Sequence, residues 1–183
     1  MQRCFLLTAL MLCSAASGAH ADDLSICYNY GCARSAGVHL HGAQLSHIHM
    51  LLAWVDNAEE ERQAIAQAIG LFQTAAGQQT PTFRDRGRNI PDEGADGRMD
   101  CIDHAHNTSA YLRLMEERGW LNFHRVLEPV KRAPWIFNEH WSARIAEKDS
   151  GEEFVVDSWF FDNGHPAAIF TLEEWMKGAE PNE

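Results

Sequence analysis

Lysine and arginine are scarce in this 183-residue chain, 15 against 26 aspartates and glutamates, which leaves a formal net charge of -11. A chain this acidic repels a phosphate backbone, and no local basic patch offsets the deficit. Nucleic-acid binding and attachment to anionic membranes are therefore excluded. Internal repeats, low-complexity segments and long linkers are also missing. With 45% hydrophobic and 22% charged residues, the composition is that of one globular domain rather than a disordered, collagen-like or coiled-coil chain. The longest uncharged apolar run near the start, Cys4 to Ala16, is short for a membrane span. Cysteine is sparse, with five residues at positions 4, 13, 27, 32 and 101.

What is there begins with an address. Arg3 precedes the apolar run, and Ala19-His20-Ala21 fits the small-x-small rule for signal peptidase, with Asp22 and Asp23 following. Residues 1–21 are expected to be an export signal, and residues 22–183 one domain in the periplasm or outside the cell. Cys4 and Cys13 leave with the signal. In an oxidising compartment Cys27 and Cys32 are expected to close a small disulfide loop, the alternative being a metal or redox pair. Cys101 is then unpaired.

The N-terminal part, residues 22–77, reads helical. Leu45, Ile48, Leu52 and Val55 follow helical spacing, Asp56-Asn57 breaks that run, and Glu59-Glu60-Glu61 suits the first turn of a second helix ending at Gly77. Residues 78–99 form a long loop without apolar period. Asp100 then caps a helix whose first residue is Cys101, with Asp103 in the reciprocal capping position and Gly119 at its end. Phe123–Leu127, His140–Ala146 and Phe154–Trp159 are predicted strands, the last two joined by a turn at Lys148-Asp149-Ser150-Gly151. Thr171 to Glu174 is a capping box opening a short final helix. Helices followed by strands predict an α+β fold with an antiparallel sheet.

A thiol becomes a useful nucleophile as the thiolate, which a helix N-terminus and an adjacent imidazole both favour. Cys101 has the first by position. If the hairpin loop is Glu147–Ser150, His140 lies directly opposite Asp157, so that a carboxylate can hold the imidazole tautomer; a register shift of two keeps them on one face as diagonal neighbours. Nucleophile, base and orienter would then be complete. That face also carries Ser142, Arg144 and Glu153, whereas Trp141, Ala143, Ile145, Phe154 and Val156 lie on the more apolar one. The scheme therefore requires a sheet covered on both sides near His140. The backbone N–H of Cys101 is the natural oxyanion donor, with Asn89 a candidate side-chain donor from the preceding loop. Trp141 and Trp159, beside the proposed catalytic residues, are candidate substrate-binding groups, and Trp175 is assigned to core or rim. Asn107-Thr-Ser is a glycosylation sequon in an unsuitable mid-helix place.

The segments Gly97-Arg-Met-Asp-Cys101-Ile-Asp-His-Ala, His140-Trp-Ser-Ala and Phe154-Val-Val-Asp157-Ser-Trp resemble the transglutaminase-like branch of the papain-like cysteine enzymes, in particular bacterial exported transglutaminase-like cysteine peptidases. The resemblance covers residues 95–162, through the order Cys, His, Asp and the gaps of 39 and 17 residues between them. It implies a Cys-bearing helix packed on an antiparallel sheet, with Cys101 as nucleophile, His140 as base and Asp157 as orienter. The implied activity is acyl transfer or hydrolysis at an amide of a peptide or protein substrate, without cofactor or metal. His104 and His106 depart from the pattern. The rival reading is a non-catalytic periplasmic binding or metal-handling protein using the pairs His39/His41, His47/His49 and His104/His106. Two imidazoles so spaced share a face on a strand but diverge on a helix, which weighs against His47 and His49.

Overall fold

The computed structural model describes residues 22–88, 94–133 and 139–182. The expected export signal and Asn89 lie outside them. The described part is mixed helix and sheet, with two antiparallel sheets and four α-helices.

The described residues open on a hairpin, β1 (Asp22–Tyr28) and β2 (Arg34–Leu40), where the sequence reading placed helix. The strand period is present in the sequence, with Leu24, Ile26 and Tyr28 alternating along β1 and Ala36, Val38 and Leu40 along β2, and Ile26, Val38 and Leu40 are fully buried. The Cys27–Cys32 disulfide joins the two sides of the turn, as expected. Two helices follow, α1 (Gly42–Leu52) and α2 (Ala58–Gly77), close to their expected bounds. Asn57 caps α2 by accepting from the Glu60 N–H. Leu45, Ile48 and Leu52 of α1 and Ile65, Ile69 and Phe72 of α2 are fully buried. After a short 3-10 turn, Pro81–Arg84, comes α3 (Cys101–Glu117), then β3 (His124–Arg132), β4 (His140–Glu147), β5 (Glu153–Asp157), β6 (Ala168–Thr171) and α4 (Leu172–Met176). Among the described residues no helix is long and apolar enough to cross a membrane.

The second sheet runs in the order β3-β4-β5-β6, all antiparallel. β3 passes the expected end at Leu127 through a bulge between Leu127 and Val130. Pro129 sits at that irregularity of an edge strand, where a missing N–H is tolerated. β6 was not foreseen; its four residues are too few for a period. The β4–β5 register is also corrected. Ala146 pairs with Glu153 and Ala143 with Val156, two residues from the expected alignment, so the turn is longer and His140 lies diagonal to Asp157 rather than opposite it. A shift of two preserves the face, and the two side chains still meet.

Both sides of this sheet are covered. Ala143, Ile145, Phe154 and Val156 join Leu112 and Met115 of α3 and the α2 residues in one core. On the His140 side, Ser142, Val155 and Asp157 are buried too, and Trp175 of α4, fully inaccessible, closes that side. The apparent conflict between a polar face and a buried site is resolved by α4.

Candidate active site

Local chemistry starts α3 where it starts. The Asp100 carboxylate accepts from the N–H groups of Ile102 and Asp103, and the Asp103 carboxylate accepts from the Asp100 N–H. Gly97 precedes this cap with φ near +89°, and a Cβ there would meet the Pro81 carbonyl oxygen at 2.1 Å, so the close approach demands glycine. The cap is braced from outside by the disulfide loop. Tyr30 and Cys32 donate backbone N–H groups to Asp103 at 2.8 and 2.6 Å, and Gly31 donates to Asp100 at 3.0 Å. Burial pushes the Asp103 carboxyl up to about 6; the Cys32 N–H opposes that rise and the nearby Asp100 charge adds to it.

Cys101 is the first residue of α3, free and half-buried. Its N–H belongs to the first turn, whose donors have no intrahelical acceptor. The thiol reaches the N-terminal end of β4, with Sγ 4.0 Å from the carbonyl oxygen of Glu139. Glu139 directly precedes His140, which brings the sulfur beside that residue, and Cys101 is among the groups that raise the His140 imidazole. His140 Nε2–H donates to Asp157 Oδ2 at 2.7 Å. A carboxylate only accepts, so Nε2 carries the proton and Nδ1 is the nitrogen left for Cys101. Burial of His140 works against its charge, but the hydrogen bonds to Asp157 and then Cys101, with their charges, outweigh it and raise the imidazole to about 9.

Asp157 is itself held by three donors. Oδ2 also accepts from Trp175 Nε1–H at 2.9 Å, and Oδ1 accepts from the Trp159 N–H at 3.2 Å. Arg132 lies over the Trp175 ring, 4.7 Å from its centroid, and donates to the Trp175 carbonyl. No family model, curated protein or solved structure matches the chain. Sequence reasoning missed Trp175 and Arg132 as part of the site, since neither lies near Cys101, His140 or Asp157 in a motif. The one local signal was the Thr171 capping box, which is present and sets the helix carrying Trp175.

The two candidate substrate tryptophans part company. Trp159 stands against His140, ring centroids 4.8 Å apart and tilted 57°, with Phe160 5.7 Å from the same imidazole. Trp141 is paired across the strand with Lys131, whose Nζ lies 5.7 Å from its ring centroid. It belongs to the other face of β4.

His104 has a different occupation from any foreseen. One ring nitrogen contacts Asp85 Oδ2 at 2.9 Å and the other Ser158 Oγ at 2.8 Å, with Thr108 bonded to the same serine. Asp85 also accepts from the Met99 N–H. This buried chain ties the loop before α3, α3 itself and the end of β5 together one turn below Cys101. It removes His104 from the rival metal set. His39 and His41 do adjoin, edge to face at 4.9 Å, and His39 pairs with Asp23. His49 stacks on Trp120. The Asn107 sequon is blocked by burial, its amide bonded to both the N–H and the carbonyl of Cys27.

Proposed function

We propose that this protein is an exported thiol acyl-transfer enzyme of transglutaminase-like, papain-like fold, acting on an amide bond of a peptide or protein. The observation that carries the reading is the convergence of Cys101, at a helix tip, on a His140 ring whose far nitrogen is bonded to Asp157 at 2.7 Å. A His140 raised to about 9 is protonated at neutral pH, and an imidazolium beside a sulfur favours the thiolate.

The thiolate attacks the carbonyl carbon, and the tetrahedral oxyanion is met by the Cys101 N–H at the positive end of α3. His140 gives its Nδ1 proton to the departing amine, leaving a thioester on Cys101. Neutral His140 then takes a proton from water, or from an amine, which attacks the thioester. Release of acid or new amide restores the thiolate–imidazolium pair. Asp157 keeps Nε2 protonated throughout and stabilises the charged ring, so that Nδ1 is always the working nitrogen. Trp159 walls the imidazole and offers an apolar surface to substrate flanking the scissile bond. The leader-like residues 1–21 and the Cys27–Cys32 disulfide support an oxidising, extracytoplasmic location.

Alkylation of Cys101 by iodoacetamide at about pH 6, where an ordinary thiol is almost wholly protonated, tests the reading. The folded protein should react far faster than a free thiol, and His140→Ala should abolish the advantage. Slow labelling, unchanged in the variant, would sink it.

A further inference from the structure

Outside the site just described, the described residues bring one other set of ligating atoms together. The sulfurs of Cys27 and Cys32 and a ring nitrogen of His106 all lie within 4.8 Å of one another. We propose that this is a redox-gated metal site, closed as a disulfide and, once reduced, binding one zinc-class ion through two thiolates and an imidazole.

The scaffold for such a site does not depend on the sulfur–sulfur bond. Asn107 grips the backbone of Cys27 through two 2.8 Å hydrogen bonds, and Asp103 holds the N–H groups of Tyr30 and Cys32. His106 stands on the same helix, between those two anchors. The turn is further set by four consecutive residues with positive φ, Asn29, Tyr30, Gly31 and Cys32, between 56° and 68°. Three of these are not glycine, a conformation that persists only when its surroundings impose it. Here the imposing contacts are donors to α3 carboxylates, which survive reduction.

The donor set has the softness and number for zinc. Two thiolates neutralise a divalent ion, imidazole is a compatible third ligand, and the fourth tetrahedral position is left to water. Cys27 is buried, Cys32 half-buried and His106 exposed, so the site is anchored in the interior and open to solvent on the His106 side. The carboxylates of Asp100 and Asp103 behind the loop add a potential that favours a cation.

The chemistry balances with a dithiol as reductant. Its two thiols pass two electrons and two protons to the Cys27–Cys32 bond, which breaks to two thiols as the reductant closes to its own disulfide. The metal ion then displaces both thiol protons, and His106 contributes a lone pair.

The test uses the Cys101→Ala protein, so that the nucleophile cannot supply a ligand and the outcome is independent of the acyl-transfer reading. It is reduced with dithiothreitol, freed of reductant without air, and titrated with cobalt(II). One equivalent should bring in thiolate-to-metal absorption in the near ultraviolet and the visible bands of a tetrahedral ion, displaced by zinc. The oxidised protein should give none, and His106→Ala should bind at least about tenfold more weakly, since loss of even an outer-shell partner costs that much. Absence of the thiolate band, an undiminished signal in His106→Ala, or a reduced chain that unfolds and is not refolded by one equivalent would each overturn the proposal.

Discussion

Replacing Asp157 by asparagine puts the site's electrostatics under direct test. The carboxylate uses Oδ2 for both His140 and Trp175, and Oδ1 for the Trp159 N–H. An asparagine with its oxygen in the Oδ2 position keeps the first two donors satisfied and the His140 tautomer unchanged. Its NH2 then faces the Trp159 N–H, a donor against a donor. The geometry is nearly retained and the charge is gone. With Asp157 neutral, the largest group opposing burial is lost, so His140 falls from about 9 towards or below its ordinary value. The sign follows from linkage. A group whose folded pKa is raised stabilises the fold fully below its unfolded value, about 6.5, and loses that contribution as pH rises through the folded one. The rise to about 9 corresponds to about 3 kcal/mol at pH 6. Asp157 accounts for the larger share, since its hydrogen bond outranks that of Cys101. Urea unfolding of both proteins from pH 6 to 10, with NMR titration of the His140 ring, measures it. The stability gap should be widest near pH 6 and narrow above pH 9 to the cost of the mispaired Trp159 N–H. A gap of constant size across that range, or a wild-type His140 titrating near 6.5, would refute the reasoning.

Trp175→Phe keeps the ring against His140 but deletes one donor to a charged carboxylate, for a loss of about 1.5–3 kcal/mol by thermal or urea denaturation. The less solvated Asp157 should also raise His140 further, visible as a shift of its NMR titration to higher pH. Glu61 is wholly buried; burial pushes its carboxyl up, but His124 and the N–H groups of Phe123 and Asn122 outweigh this and hold it below the usual range. Its contribution is therefore present above about pH 4.5 and lost as pH falls through the depressed value, so Glu61→Gln should cost about 3 kcal/mol at pH 7 and flatten the acid limb of the stability curve. Gly97→Ala forces a side chain at positive φ into the Pro81 carbonyl; a loss above about 2 kcal/mol is expected, and a neutral result would contradict the close approach.

The start of α3 was readable because capping is local: Asp100 and Asp103 satisfy N–H groups within three residues, whatever surrounds them. The same holds for Asn57, Thr171 and the helical face of α2. The hairpin register was readable only to within two residues, since the pattern fixes which face a side chain takes but the turn decides its length. The buried polar residues of α3, Asp103, His104, Asn107 and Thr108, break its apolar period; their partners lie on β1, the turn after it, the loop before α3 and the end of β5, at separations no window spans.

From the chain alone came the acidity, the candidate leader, the disulfide pair, the helix that begins on Cys101 and the shared face of His140 and Asp157. These depend on charge, spacing and period, which are properties of neighbours in sequence. The tertiary structure alone decided that Trp175 would steady Asp157, that His104 would be bound to Asp85 and Ser158, and that the disulfide loop would sit on the tip of α3 beside His106. Each joins groups many residues apart, and only packing chooses among the partners that buried donors and acceptors could take.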